Sequence, residues 1–157
     1  MAKEKLKEAK RQYGFTLIEM LIVIAVIGIL SSVLLTALGP ARDKAKDSRI
    51  VQEVNQVRNL AETMYSNGSY NSLEEISDGT LINNPSLKAL ADDITTQGGA
   101  LRIIKSTPQG AKAYSTYSKL NVQAGAEPNL ETQYYCVDSS GRAGFAIEEP
   151  LESRCPF

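Results

Sequence analysis

The side chains able to do chemistry are few. The chain has no histidine and two cysteines, Cys136 and Cys155. Lack of histidine removes the usual general base of Ser-His-Asp and Cys-His catalysis and the commonest transition-metal ligand, and two thiols alone cannot complete a Cys-rich zinc site. Carboxylates cluster at Glu74-Glu75, at Asp92-Asp93 and at Glu148-Glu149 with Glu152. Adjacent acids of this kind usually form a solvated face, and none follows the ordered spacing of a calcium loop. Tyr114, Tyr117, Tyr134 and Tyr135 read as sheet packing rather than as a base-stacking platform. The expectation is a chain without catalytic residues, metal site or cofactor. A formal net charge of −1 over 157 residues also argues against a dedicated nucleic-acid binder. Two features then stand out: the cysteine pair, and Glu19, a single charge inside a long apolar run.

The run extends from Phe15 to Leu38, 24 residues of which 15 are Phe, Leu, Ile or Val. Spanning a bilayer takes roughly 20 apolar residues at a rise of about 1.5 Å each. At roughly 0.3–0.6 kcal/mol apiece these side chains favour insertion by about 5–9 kcal/mol, against about 3 kcal/mol for an acidic residue at mid-membrane. A cleavable secretory signal is the first alternative, but its apolar region is typically about 7–15 residues and seldom holds a glutamate. A soluble core helix is the second, and it would show a polar face that is missing here. The run is preceded by Lys3, Lys5, Lys7, Lys10 and Arg11 against Glu4 and Glu8, so that residues 1–14 carry +3 and the remaining 143 carry −4. Five cations in the leader against Arg42, Lys44, Lys46 and Arg49 beyond the run do not fix orientation. A lone cysteine pair reads more readily as a disulfide in an oxidising compartment than as cytosolic redox chemistry, with two free thiols as the alternative. This places the C-terminal domain outside the cytoplasm.

Past the run the pattern becomes amphipathic. Ile50, Val54, Val57, Ala61 and Met64 recur at helical spacing, while Arg49, Gln52, Glu53, Gln56, Arg58 and Glu62 occupy other faces. One helix from Phe15 to Tyr65 would extend about 76 Å, too long to bury within a single small domain. Asn67-Gly68 ends it, and Asn67-Gly68-Ser69 also matches a glycosylation sequon. A short helix is predicted over Ser86–Ile94, capped by Ser86 after Pro85. Strands are predicted near Leu101–Lys105, Lys112–Lys119, Thr132–Val137 and Arg142–Ile147, with a hairpin turn at Asp138-Ser139-Ser140-Gly141. The fold class is α+β: a long N-terminal helix whose amphipathic half, about 41–65, packs on an antiparallel sheet head, burying one sheet face and leaving the other exposed. Residues 66–100 form a loop and the short helix, and 101–157 the sheet and a cysteine-bounded loop. Closing that loop of about 20 residues with a disulfide is worth roughly 3 kcal/mol through restriction of the unfolded chain.

The string Gly14-Phe15-Thr16-Leu17-Ile18-Glu19, followed by uninterrupted apolar residues, resembles the class III signal of type IV prepilins. With the pilin-like hairpin and C-terminal cysteines, the whole chain resembles a type IV pilin, within the superfamily that includes type II secretion pseudopilins. The resemblance implies a leader, residues 1–14, cut between Gly14 and Phe15 by a membrane prepilin peptidase that then methylates the amine of Phe15. It implies that residues 15–40 serve first as a transmembrane anchor and then as filament core, and that Glu19 faces the N-terminal ammonium of a neighbouring subunit. In that family residues such as Gly28, Gly39 and Pro40 help the helix bend; Pro40 lies about one turn later than is usual there. A Cys136–Cys155 disulfide would delimit a variable surface loop, Val137–Arg154. Partners implied are copies of the chain itself and minor pilins in a helical polymer, the prepilin peptidase, the pilus assembly machinery and the membrane. The precursor would sit in the cytoplasmic membrane with its head outside the cytoplasm, and the assembled subunit in an extracellular pilus. The rival readings are a type II secretion pseudopilin in a periplasmic pseudopilus and a monomeric membrane-tethered binding module.

Overall fold

A computed structural model describes residues 14–106, 110–126 and 129–157, and divides the chain into two units that meet between Gly39 and Pro40. The expected leader, apart from Gly14, lies outside the described residues. Helix α1, Leu17–Thr63, belongs to both units. It starts and stops two residues inside the predicted bounds of Phe15 and Tyr65.

In the first unit every described side chain is exposed, including fifteen large apolar ones from Leu17 to Leu38 and Phe15 before them. The backbone of a helix satisfies its own polar groups, which is what an apolar surrounding demands. Two hydroxyls within the helix follow the same rule: Ser32 Oγ donates to the Ile29 carbonyl at 2.8 Å and Thr36 Oγ1 to the Val33 carbonyl at 2.9 Å.

The second unit is α+β. Along Pro40–Thr63 the stripe Ile50, Val54, Val57 and Ala61 is wholly buried, as its spacing predicts. It packs with Leu87, Ala91 and Ile94 of helix α2, Pro85–Thr96, with Tyr70, Leu73 and Ile76 of the intervening loop, and with the inner face of the sheet. Strands β1 (Leu101–Lys105), β2 (Tyr114–Lys119), β5 (Tyr134–Asp138) and β6 (Ala143–Ala146) form an antiparallel sheet in the order β1-β2-β5-β6. Register fixes the faces, since Ile103 opposes Thr116, Thr116 opposes Val137, and Tyr117 opposes Cys136. Leu101, Ile103, Tyr114, Tyr135 and Val137 therefore line the inner core, and Arg102, Tyr117, Lys119, Tyr134 and Cys136 the outer face. Gly99 permits the close packing behind β2, because a Cβ there would lie 2.6 Å from Ser118 Oγ and 2.8 Å from Ile94 Cγ2.

Three local expectations are corrected. Helix α2 is capped by Asn84, not Ser86: Asn84 is extended and its Oδ1 accepts from the amides of Ser86 at 2.9 Å and Leu87 at 3.1 Å, while Pro85 opens the helix. A further hairpin, β3 (Ala124–Ala126) with β4 (Asn129–Glu131), lies in the chain between β2 and β5. It is too short and too poor in β-branched residues to register as strands in the sequence. Finally, the outer face is not left bare. After β6 the C-terminal segment recrosses it: Ser115 Oγ donates to the Glu152 carbonyl at 2.6 Å, Tyr117 donates to Glu149 at 3.1 Å, and the Phe157 ring lies against Gly144.

Candidate functional site

Gly14, Phe15 and Thr16 precede the helix, and Phe15 is 81% exposed. Among the described residues a Cβ added at Gly14 would meet no heavy atom within 4 Å, and the Gly14–Phe15 peptide lies outside the helix. What fixes the helix start is a reciprocal cap. The Glu19 carboxylate accepts from the Thr16 amide at 2.8 Å and from the Thr16 hydroxyl at 2.7 Å, while Thr16 Oγ1 accepts from the Glu19 amide at 3.3 Å. This is a capping box, with Thr16 at the N-cap and Glu19 at N3. The acid that looked unpartnered in the sequence thus has partners within its own chain. Thr16 was missed as one of them, although the Thr-x-x-Glu spacing carries the signal.

Gly28, Gly39 and Pro40 all lie inside α1. A Cβ at either glycine would again meet nothing within 4 Å. Pro40 has no N–H to give to the carbonyl one turn before it, so the ladder is short of one bond at that step.

The other candidate place is the C-terminal loop. Cys136 and Cys155 are joined and buried, making with Tyr117 a small cluster on the outer sheet face. Beside it lies Asp138, fully buried and missed by the sequence reading. Its Oδ1 accepts from the Ser140 amide (2.9 Å), the Ser140 hydroxyl (2.6 Å) and the Arg142 amide (3.2 Å). Its Oδ2 accepts from Arg142 Nε at 2.9 Å and from the Cys155 amide at 3.1 Å, with Arg142 Nη2 in ion-pair contact at 2.9 Å. Arg142 Nη1 reaches on to the Phe157 carbonyl at 2.6 Å. Burial by itself would raise the Asp138 carboxyl, yet the bonds from Ser140, Cys155 and Arg142 hold it below its usual range. The sequence does hint at this role, because an aspartate opening Asp-Ser-Ser-Gly commonly bonds the backbone two residues on.

The acidic pairs serve separate bonds. Glu74 accepts from the amides of Asn83 and Asn84, Asp92 pairs with Lys88, and Asp93 accepts both Nε and Nη2 of Arg49. Two further carboxylates tie α1 to the head. Buried Asp47 accepts from the Asn121 amide and side chain and from the Val122 amide. Glu62 accepts from the hydroxyls of Tyr70 and Tyr114; burial, then that carboxylate, pushes Tyr70 up to about 12 and Tyr114 higher still. The tyrosines pack and bond within the head, as expected.

Residues 9–35 match the family described as the prokaryotic N-terminal methylation motif. Over 150 residues the chain is 34% identical to the fimbrial protein EcpB of Eikenella corrodens, covering 93% of this chain and 92% of that one. It is 30% identical over 105 residues to the type II secretion system core protein G of Aeromonas hydrophila, covering 66% and 71%. It is 48% identical over 61 residues to the type IV wide pilus major component PilA4 of Thermus thermophilus, covering 38% and 46%. No solved structure matches the chain.

Proposed function

Because the chain belongs to the type IV pilin and pseudopilin superfamily, we propose that it is a structural pilin subunit which polymerises through its N-terminal helix into a surface pilus. The observation that carries this reading is similarity over nearly the full length, head included, to a fimbrial protein. In this proposal a prepilin peptidase cuts between Gly14 and Phe15, and the new amine of Phe15 is methylated. The non-helical junction suits a peptidase, which must engage extended backbone. Residues 15–40 anchor the precursor in the cytoplasmic membrane and become filament core after extraction by the assembly machinery, with Glu19 exchanging its intrachain cap for the ammonium of a neighbouring copy. Gly28, Gly39 and Pro40 are where the helix yields during that passage, since the step at Pro40 already lacks one ladder bond. A pseudopilin role is the second reading, supported by the similarity to core protein G.

The test is mass spectrometry of subunits sheared from the cell surface, with electron microscopy of the same material. Expected are filaments built of a 143-residue chain, residues 15–157, starting at monomethylated Phe15. A subunit retaining residues 1–14 would overturn processing. A processed chain confined to the periplasm would favour the pseudopilin.

A further inference from the structure

The disulfide and Asp138 hold the same segment from two sides. Asp138 is two residues after Cys136 on β5, and it binds the backbone amide of Cys155 itself. The same carboxylate fixes Ser140 and Arg142 in the β5–β6 turn, and Arg142 fixes the chain end through Phe157. None of these bonds involves a sulfur atom. Ser115 Oγ adds an independent tie to Glu152, three residues before Cys155.

We propose that Asp138 is a positioning residue for oxidative closure of the C-terminal loop: it docks the Cys155 amide against β5 before the two sulfurs are bonded. This reading stands apart from filament assembly and needs only a folded head. A disulfide restricts chiefly the unfolded chain; a carboxylate with five hydrogen-bond donors acts in the folded one, and a buried charge left without them would be costly. The fold thus brings the thiols together and oxidation locks an arrangement already made. In the closure step the thiolate of one cysteine attacks a disulfide donor such as oxidised glutathione and expels one glutathione thiolate. The second cysteine thiolate then attacks the mixed disulfide, forms the Cys136–Cys155 bond and expels the other. Two electrons pass to the donor, and the two protons lost by the cysteines are taken up by the two glutathione thiolates.

The experiment equilibrates the full chain in detergent micelles against reduced and oxidised glutathione and reads the effective concentration of the cysteine pair. Asp138→Asn, which keeps the shape but turns an amide group toward the donors, is expected to lower it at least tenfold, about 30 mV for this two-electron couple. Val57→Ala trims the core on the inner side of the sheet, opposite the face that carries Cys136, and is expected to leave it within about twofold. An unchanged value in Asp138→Asn, or an equal fall in both, overturns the proposal. If Asp138→Asn does not fold, amide hydrogen exchange on the Cys136→Ser/Cys155→Ser double variant decides. Protection retained at the amide of position 155 supports docking without the disulfide, and exchange there at the rate of unstructured chain overturns it.

Discussion

Helix α1 contains two regions with the same backbone and opposite side-chain rules. From Leu17 to Gly39 it is apolar but for Glu19 and a few hydroxyls, and every described side chain is exposed; from Pro40 to Thr63 a single stripe is apolar and that stripe is at zero exposure. The second half is stabilised as helices in water are, by packing one face on a sheet and a second helix. The first half has no buried stripe among its described side chains. Its hydrogen-bonded backbone, self-bonded hydroxyls and capped start leave little that needs water, and its side chains are complementary only to an apolar surrounding supplied from outside. The contrast teaches that helix formation and folding are separable: a helix can be complete in its polar groups and still have its apolar faces unassigned. A bilayer fits such a surface, and so, in the proposed filament, do other copies of it.

The largest effect is expected where the two rules meet in one residue. Glu19→Val removes the acid from the apolar half and with it an unfavourable insertion contribution, so membrane retention should persist. Leader removal should persist too, because the Gly14–Phe15 bond lies outside the cap. Surface filaments counted by microscopy should nonetheless fall to background, since the freed amine of Phe15, with a reference pKa near 7.7–8.0, would be left charged among apolar helices. Wild-type filament numbers would show that Glu19 carries no assembly contact, even with the processing proposal intact.

A matched pair of substitutions measures the contrast directly. Ile50 is wholly buried and Ile24 is 67% exposed. Ile50→Ala should cost the head about 2–5 kcal/mol in chemical denaturation, the transfer loss plus the cavity it leaves. Ile24→Ala should leave that transition within about 0.5 kcal/mol. Equal effects would mean that the head's stability does not distinguish the buried stripe from the exposed run.

Where the sequence was legible follows the same division. The apolar run and the stripe at Ile50, Val54, Val57 and Ala61 are periodic patterns fixed by burial, and both appear in the structure as read. The β2, β5 and β6 positions were recovered to within about two residues, because short runs holding Tyr, Thr, Val and Phe are bounded by turn residues such as Asp138-Ser139-Ser140-Gly141. What stayed hidden were the polar anchors. Asp47, Glu62 and Asp138 look like any surface acid in the sequence, and only long-range contacts bury them beside amides and hydroxyls separated by as many as 75 positions, as for Asp47 and Val122. The tail that covers the outer sheet face has no periodicity, so nothing local announces where it docks. Thr16 was a different failure, since its capping spacing was present and eclipsed by the motif around it.

Acid should act on the head and spare the apolar half. Asp138 is held below its usual range when folded, so the stability it supplies is complete above the unfolded value near 3.9 and is lost as pH falls through the folded one. Urea midpoints of the head should therefore be flat from pH 7 to about 5 and drop below about pH 4. Asp138→Asn should start lower and show a shallower drop. An equally steep acid loss in the variant would assign it to other carboxylates. Helix content of the micelle-bound residues 15–39 should not follow the transition.

The smallest effect expected separates the two regions by their caps. Asn84 and Thr16 do the same job, offering a side-chain oxygen to amides in the first turn of a helix, but Asn84 does it inside the head and Thr16 in front of the apolar run. Asn84→Ala leaves the amides of Ser86 and Leu87 without their acceptor and should lower head stability by about 1 kcal/mol, the usual value of such a cap. Thr16→Ala leaves the Glu19 amide without its hydroxyl partner and removes one of two donors to that carboxylate. The bonds of this pair are to each other, so the denaturation midpoint should not move. The consequence should be local, as faster amide exchange at Leu17 to Glu19 in micelles, where the helix start is no longer pinned. If Thr16→Ala shifted the head transition as far as Asn84→Ala does, the two halves of α1 would be one cooperative unit, and the contrast between them would be one of surroundings alone.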